Sequence, residues 1–256
     1  MKLDFEQFIR TKGREFKPNV LPVIEKTQNF INNGNVKAAL SSISLALLMA
    51  PKKFEVLDTF AFFFQEIGRS NLQLIVTEYN LEINPSILFA HINHAKALVS
   101  NHKRVEATNI LIKASELFRS DNNKIYHLAK TFRELNDNNN SFLMQFSLLK
   151  IGLPTEVQYL EVLSQFIRYK QPVPKFETIR NNDNWKKLSP AVKLAFSDAH
   201  LNLSHTREAI FFLDAIEREE LDQDLGVDML LLEANIHLNE FNPSKAVTLL
   251  EKINFK

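Results

Sequence analysis

The chain has 256 residues, a formal net charge of +1 and no cysteine. This length can bury a sizeable core, and nothing in the composition marks a junction between unlike domains, so one continuous body is expected. A charge balance this close to zero provides no overall field to draw the chain to nucleic acid or an anionic membrane. The lack of cysteine excludes disulfides, thiolate metal sites and thiol nucleophiles, and because it is typical of a reducing compartment we expect a cytoplasmic location.

The sequence predicts neither export nor membrane insertion. Its first ten residues include Asp4, Glu6 and Arg10 and lack the apolar run of a signal peptide. The longest apolar stretches, such as 60–64, are too short to cross a bilayer. Glycine and proline are scarce, and apolar residues recur at spacings of three and four, which predicts an all-α chain.

A period of 34 residues organises the predicted helices. Gly34 and Pro51 return 34 residues later as Gly68 and Pro85, with a helix-length apolar segment on each side of each glycine. Two helix breakers that return together predict tandem helical hairpins. We number the places within each repeat from 1, with repeats starting at residues 20, 54, 88, 122, 156 and 190. A seventh repeat starts at 227, after a shift of three residues within the polar stretch 221–226, which is expected to be a loop.

Residue size alternates between fixed places of the repeat. Place 8 is mostly small, as in Ala61, Ala95 and Ala129, while place 11 is mostly large, as in Phe64 and Phe132, and place 20 is again often small. Antiparallel helices approach closely only where one of them carries a small side chain and a large one fills the gap a turn away. Glycine or asparagine near place 15 permits the left-handed residue that ends the first helix, and proline at place 32 stops the second.

The period, these small residues, and Pro51 and Pro85 at place 32 resemble the tetratricopeptide repeat. The resemblance covers residues 20–256 and implies a right-handed α-solenoid of about seven such hairpins. The aromatic residue that the family carries at place 4 is absent, so the repeats are divergent, and a related helical-hairpin solenoid stays open as an alternative. The repeat at 156–189 is expected to be irregular, because Pro172 and Pro174 interrupt its second helix.

The two ends of the array differ. Residues 1–19 predict a capping helix that covers the first repeat with Phe5, Phe8 and Ile9. At the other end the last helix carries apolar residues with no solvating helix after it. Either these residues are only partly exposed, or they are covered by self-association or by a neighbouring segment; they are Leu249, Leu250, Ile253 and Phe255.

The candidate chemical groups do not predict a catalytic or metal site. His91 and His94 lie three apart on one predicted helix, but no third ligand stands at the adjoining helical spacing, so core or interface histidines are favoured. Glycine-rich phosphate loops and a nucleophile elbow are missing from the sequence. We therefore expect no catalytic residue, no cofactor and no enzyme activity.

The family resemblance implies a binding groove. In that family the first helix of each repeat lines a concave face, to which places 2, 5, 6, 9, 12 and 13 point. The groove is then acidic in the second repeat and basic in the third and fourth, and suits a peptide or a helix of a partner protein. Phenylalanines would accept apolar side chains, asparagine would hold peptide backbone, and lysine and arginine would meet acidic groups. The implied groove residues are Phe62, Phe89, Asn93, Lys96, Tyr126, His127, Lys130 and Arg133.

The function implied by the resemblance is that of a non-enzymatic scaffold or adaptor. The lysine and asparagine clamp of chaperone-binding members is absent, since Ile24 and Gln28 stand at its first two positions, so heat-shock proteins are not expected as partners. One alternative is a targeting arm or subunit of a larger enzyme, of the glycosyltransferase or sulfotransferase type, or of a secretion complex. Another is a regulatory receptor that closes around a small peptide. Nucleic acid ranks below these, because basic residues form no single stripe with interleaved aromatics.

Overall fold

A computed structural model describes residues 21–49, 54–180, 185–218 and 221–253. Within these ranges the chain forms fourteen α-helices and one 3-10 turn, Trp185–Lys187, and contains no β-strand. Consecutive helices pack against each other in pairs, so the predicted all-α class and tandem hairpins are confirmed. The capping helix predicted over 1–19 and the proline at position 51 lie outside the described residues. No described helix combines the length and apolarity needed to cross a bilayer.

Turns of three or four residues connect the two helices in every hairpin except the fifth, where residues 169–175 form a longer connection. The pairs are α1 (Leu21–Asn32) with α2 (Val36–Met49), α3 (Phe54–Glu66) with α4 (Ser70–Ile83), α5 (Leu88–Ser100) with α6 (Arg104–Leu117), α7 (Asn122–Glu134) with α8 (Asn138–Ile151), α9 (Glu156–Arg168) with α10 (Phe176–Arg180), α11 (Pro190–Leu201) with α12 (Thr206–Asp214), and α13 (Gln223–Asn239) with α14 (Pro243–Leu250).

The chain divides into two compact units, and the division falls inside α7. The first unit contains the described residues up to Arg119 together with Thr131–Asp137. The second contains Ser120–Lys130 together with the described residues from Asn138 onwards. Each unit has an apolar core of its own.

The cores are built from both helices of the hairpins. In the first unit, Leu57 and Phe60 of α3 are fully buried. In the second unit, Val162 of α9 packs in one cluster with Phe196 of α11 and Phe212 of α12, and the rings of Phe196 and Phe212 stack with centroids 4.9 Å apart. Aromatic pairs of this kind stabilise the fold by about 1 kcal/mol beyond the stabilisation that comes from the area they bury.

Places 8 and 20 form the seam between the two helices of a hairpin. At place 8 every residue is 4% exposed or less: Thr27, Ala61, Ala95, Ala129, Leu163, Ser197 and Ala234. At place 20 the same holds in six repeats, through Ala39, Gln73, Ala107, Ser141, Ala209 and Ala246. Lys175, which occupies place 20 of the fifth repeat, is exposed instead.

Serines in this seam hydrogen-bond to the facing helix. Ser141 Oγ, at place 20, donates to the carbonyl of Ala129, at place 8, over 2.8 Å. Ser197 Oγ, at place 8, donates to the carbonyl of Ala209, at place 20, over 3.0 Å. These reciprocal bonds show that the two places face each other, and they satisfy hydroxyls that would otherwise destabilise the fold when buried.

Place 15 has a left-handed backbone in all seven repeats. Five of the seven residues there are not glycine, although a left-handed residue with a Cβ costs about 1–2 kcal/mol. The φ angles are 68° at Gly34, 67° at Gly68, 62° at His102, 59° at Asn136, 48° at Lys170, 60° at Ser204 and 57° at Phe241.

The same hydrogen bond closes every first helix. In each repeat the N–H at place 16 donates to the carbonyl at place 11 over 2.8–3.0 Å, as in Arg69 to Phe64 and Asn242 to His237. The N–H at place 15 donates in addition to the carbonyl at place 12. This is the Schellman pattern, which requires the left-handed residue and satisfies carbonyls at the helix end.

The second helix of the fifth repeat is shortened. Second helices elsewhere begin at place 17, whereas α10 begins only at Phe176, place 21, and has five residues. Pro172 and Pro174 have no N–H, and each restricts the residue before it to extended conformations. Residues 171–175 are accordingly not helical.

The last repeat starts earlier than the sequence analysis expects. The loop predicted over 221–226 is wrong from Gln223 onwards, because α13 begins there. The carboxylate of Asp222 accepts a hydrogen bond from the N–H of Leu225 over 2.8 Å, which caps the helix at this point. Beyond α14, Ile253 is buried while Leu250 is 37% exposed, and position 255 lies outside the described residues. Self-association through this end stays a prediction.

Two glycine substitutions test the left-handed turn. Gly68→Ala should lower the free energy of unfolding by about 1 kcal/mol, because a Cβ there meets no neighbour and only the positive φ opposes it. Gly226→Ala is the matched control inside α13, where a Cβ also meets no neighbour, and it should stabilise by about 0.5–1 kcal/mol. Urea unfolding followed by circular dichroism measures both, and shifts of the same sign would contradict the assignment.

Candidate functional site

Residues 35 positions apart meet on the first helices of neighbouring repeats. In the first unit the amide of Asn93, at place 6, donates to the carboxylate of Asp58, at place 5. In the second unit the hydroxyl of Tyr126, at place 5, donates to the carboxylate of Glu161, at place 6. Burial raises the pKa of Asp58 above its usual value. The hydrogen bond from Asn93 lowers this pKa, and repulsion from Glu55 raises it further. Places 5 and 6 therefore lie on one shared face in each unit, which we call the first-helix face.

The predicted groove residues of the first unit present two aromatic rings and a paired lysine. Phe62 is 39% exposed and Phe89 is 48% exposed. Lys96 Nζ lies 2.8 Å from a carboxylate oxygen of Glu134, so its charge is already paired within the unit. Arg133 is half-buried. A partner that uses Lys96 must therefore compete with Glu134.

The predicted groove residues of the second unit lie on α7. Tyr126 is only 7% exposed, and its ring packs edge-on against His127 with centroids 5.8 Å apart. His127 is half-buried and Lys130 is exposed. Of these three side chains, His127 and Lys130 reach the surface, while Tyr126 supports the face from below.

The histidine pair of the third repeat is buried in protein contacts. His91 Nε2 donates to the carbonyl of Pro85 over 2.8 Å, and His94 Nδ1 lies 3.2 Å from the hydroxyl of Thr77. Both histidines are less than 9% exposed. In the described part of the chain, no group of three or more histidine or acidic residues is arranged to hold a metal ion.

A cavity of about 420 Å³ lies in the second unit, on the first-helix face of α9, α11 and α13. Aliphatic side chains form most of its wall, and Leu231 there is 39% exposed. A volume of this size is typical of a site for a small ligand or a few side chains. The lining residues are Leu160, Ala191, Leu194, Ala195, Asp198, Leu225, Asp228, Leu231 and Leu232.

This cavity was not predicted from the sequence, although the residue pattern that forms it is present there. All the lining residues except Leu225 stand at places 2, 5, 6 and 9 of the last three repeats, the same places from which the groove was inferred in the earlier repeats. Aliphatic residues occupy places 5 and 6, and aspartates occupy place 9 of the sixth repeat and place 2 of the seventh. Continuing the place count to the end of the chain would have found them.

Two carboxylates supply the charge of the cavity. Burial raises the pKa of Asp198, a hydrogen bond from the Asn202 amide over 3.0 Å opposes this, and repulsion from Asp228 raises it further. Among the described residues, those that line the cavity include no lysine or arginine. This part of the chain therefore forms an apolar recess with negative charge.

Comparison with known proteins leaves the family open. No family model matches the chain, and no curated protein matches it. Among solved structures, a tetratricopeptide repeat protein from Parabacteroides merdae is 12% identical, with 91% of each chain covered and a TM-score of 0.42. Pseudomonas aeruginosa pilF is 15% identical, with 96% of this chain and 90% of that chain covered and a TM-score of 0.37. Neither structure identifies a partner or an activity for this chain.

The buried histidine predicts a pH dependence of stability. Burial lowers the pKa of His94 from 6.5 to about 4, with Glu106 opposing and His91 and Lys103 adding to the effect. Between these two values the unfolded chain binds a proton that the folded chain does not, so the fold loses stability as pH falls from 6.5 to 4. The loss contributed by this group is up to about 3 kcal/mol.

The measurement is urea unfolding at several pH values. The variant His94→Gln should show a shallower loss of stability over this range than the wild-type chain. His102→Gln changes an exposed histidine of the same repeat and should keep the wild-type slope. An unchanged slope in His94→Gln would show that His94 is not the group responsible.

Proposed function

We propose that this chain is a non-enzymatic protein-interaction scaffold that binds a segment of a partner protein on its first-helix faces. The observation that carries the proposal is the 420 Å³ cavity of the second unit, which opens on the first-helix face. Its wall is largely aliphatic, which suits side chains of a partner protein. Its functional polar groups are two carboxylates, and these are suited to binding a cation.

The chemistry of this cavity selects a basic segment with apolar neighbours. A lysine or arginine stem is aliphatic and packs against Leu194 and Leu231, while its charged end reaches Asp198 or Asp228. A charge-assisted hydrogen bond to a carboxylate is about twice as strong as a neutral one. An uncharged or acidic segment would bury the two carboxylates without compensating their negative charge.

Electrostatic repulsion inside the cavity adds to this selectivity. Asp198 is destabilised in its charged form by burial and by Asp228, as the direction of its pKa shows. A bound cation would offset both effects, so the empty site favours positive charge. Salt should weaken the interaction, because added ions screen partly exposed charges over about 8–10 Å.

The first unit contributes a second contact surface in this proposal. The exposed rings of Phe62 and Phe89 accept apolar side chains of the partner. Asn93 holds peptide backbone, and Lys96 and Arg133 meet acidic groups, with Lys96 exchanging its pairing to Glu134 for a partner carboxylate. In the second unit, His127 and Lys130 on α7 add polar contacts beside the buried Tyr126.

A matched pair of double variants tests the proposed function by quantitative capture of partners from a lysate of the source cells. Asp228→Lys with Leu231→Ser reverses a charge and removes apolar surface in the cavity. Glu251→Lys with Val247→Ser makes equivalent changes elsewhere, with Val247 on α14 and Glu251 directly after it. Both side chains are exposed, and neither lines the cavity. The cavity variant should weaken capture about tenfold or more, because it removes both an apolar contact and a favourable charge.

The control double variant should retain the wild-type partners. Capture by the wild-type chain should fall as salt is raised, and that dependence should be reduced in the cavity variant. If the cavity variant captures the same partners with the same affinity and salt dependence, the cavity is not the binding site.

A further inference from the structure

A second groove lies elsewhere in the second unit, between α8 and the chain that leads to α10. Its volume is about 490 Å³. Phe142, Leu143 and Phe146 of α8 line one side, and the extended chain at Gln171 and Pro172 lines the other. No residue of this groove belongs to the cavity described above.

The groove exists because one helical turn is missing. In the other repeats the second helix begins at place 17, but here residues 171–175 are not helical and α10 starts four residues late. Pro172 and Pro174 prevent the missing turn from forming. The part of α8 that faces the missing turn is therefore not covered by it, although α10 itself contacts α8.

The residues on this flank are large and apolar. Leu143 is 66% exposed, and Phe142 and Phe146 are half-buried. Phe142 is held in place by edge-on contacts to Phe166 and Tyr169, with centroids 5.3 and 5.7 Å away. Place 25, which holds Phe146 here, is occupied in the other repeats by Ser44, Glu78, Ile112, Arg180, Asp214 and Glu251. Aromatic residues are thus concentrated where the covering helix is shortest.

Positive charge borders the groove. Lys150 Nζ lies 4.4 Å from the ring centre of Phe146. The guanidinium of Arg168 lies 5.8 Å from the ring centre of Tyr169, which itself contacts Phe142. Of the residues that the structure describes, those lining the groove include no carboxylate. An apolar floor with a basic border complements a partner that is both apolar and acidic.

We propose that this groove binds an acidic amphipathic helix of a partner protein, which takes the place of the missing turn beside α8. Phe142 and Phe146 are four residues apart, one turn of α8, so they match apolar residues at i and i+3 or i+4 of a second helix. Acidic residues on the neighbouring face of that helix pair with Arg168 and compete for Lys150, which already contacts Phe146. The second unit then has two binding surfaces of opposite charge preference.

The test is a selection of helical peptides of about 14 residues from a random library, followed by synthesis of the enriched peptides. Binding to the full chain is measured by fluorescence anisotropy. The enriched peptides should carry apolar residues one turn apart and an excess of aspartate and glutamate. Leu143→Ser should weaken their binding about tenfold, because it removes an exposed apolar contact without disturbing the core. Arg168→Glu should weaken the binding of acidic peptides and leave the binding of neutral peptides unchanged.

Val247→Ser is the matched control, since Val247 is 53% exposed on the second helix of the last repeat, and it should leave binding unchanged. Three results would overturn the proposal: no peptide enriches, the enriched peptides are basic, or Leu143→Ser binds them as tightly as wild type. A fourth is self-association of the wild-type chain that Leu143→Ser abolishes, which would assign the groove to a second copy. The cavity variant Asp228→Lys with Leu231→Ser should still bind these peptides, so failure here is distinguishable from failure of the proposed function.

Discussion

The left-handed residue at place 15 is the constraint on which each hairpin depends. With this conformation, the N–H at place 16 reaches the carbonyl at place 11 and the chain reverses within a few residues. The reversal brings places 8 and 20 face to face, where small side chains or bonded hydroxyls permit close packing. Phe241 adopts it despite the cost of a Cβ at positive φ, so packing of α13 against α14 outweighs local preference there. Lys170 adopts it as well, before the shortened α10.

Different places of the repeat serve the fold and the proposed binding function. Apart from the exposed Lys175, the seam places are buried and most carry small side chains, so they fix the hairpin and leave little room for change. The first-helix faces differ from repeat to repeat, with exposed aromatic rings in the first unit and aliphatic residues with two carboxylates in the second. A scaffold can in this way keep one backbone geometry and alter its partner through a few surface residues.

The shortened hairpin shows how one local interruption creates a surface. Two prolines remove a helical turn, and the flank of α8 that a regular repeat would cover becomes an aromatic groove. In a repeat protein each hairpin is stabilised mainly by its neighbours, so such a gap can be tolerated without loss of the adjacent cores. Phe166 at 2% exposure and Val162 at 0% show that the core beside the gap stays closed.

The sequence by itself determined the helical class, the 34-residue period and the small-residue seam, because these follow from helix breakers and residue sizes that repeat along the chain. It also determined that Pro172 and Pro174 interrupt the second helix of the fifth repeat, since proline restricts its own backbone and the residue before it. Numbering the places in each repeat is sufficient to identify the cavity residues, but it does not show that they enclose a cavity. Only the tertiary structure decided that Asp198 and Asp228 share one recess and that Lys96 is paired with Glu134, because these relations depend on side chains brought together from separate helices.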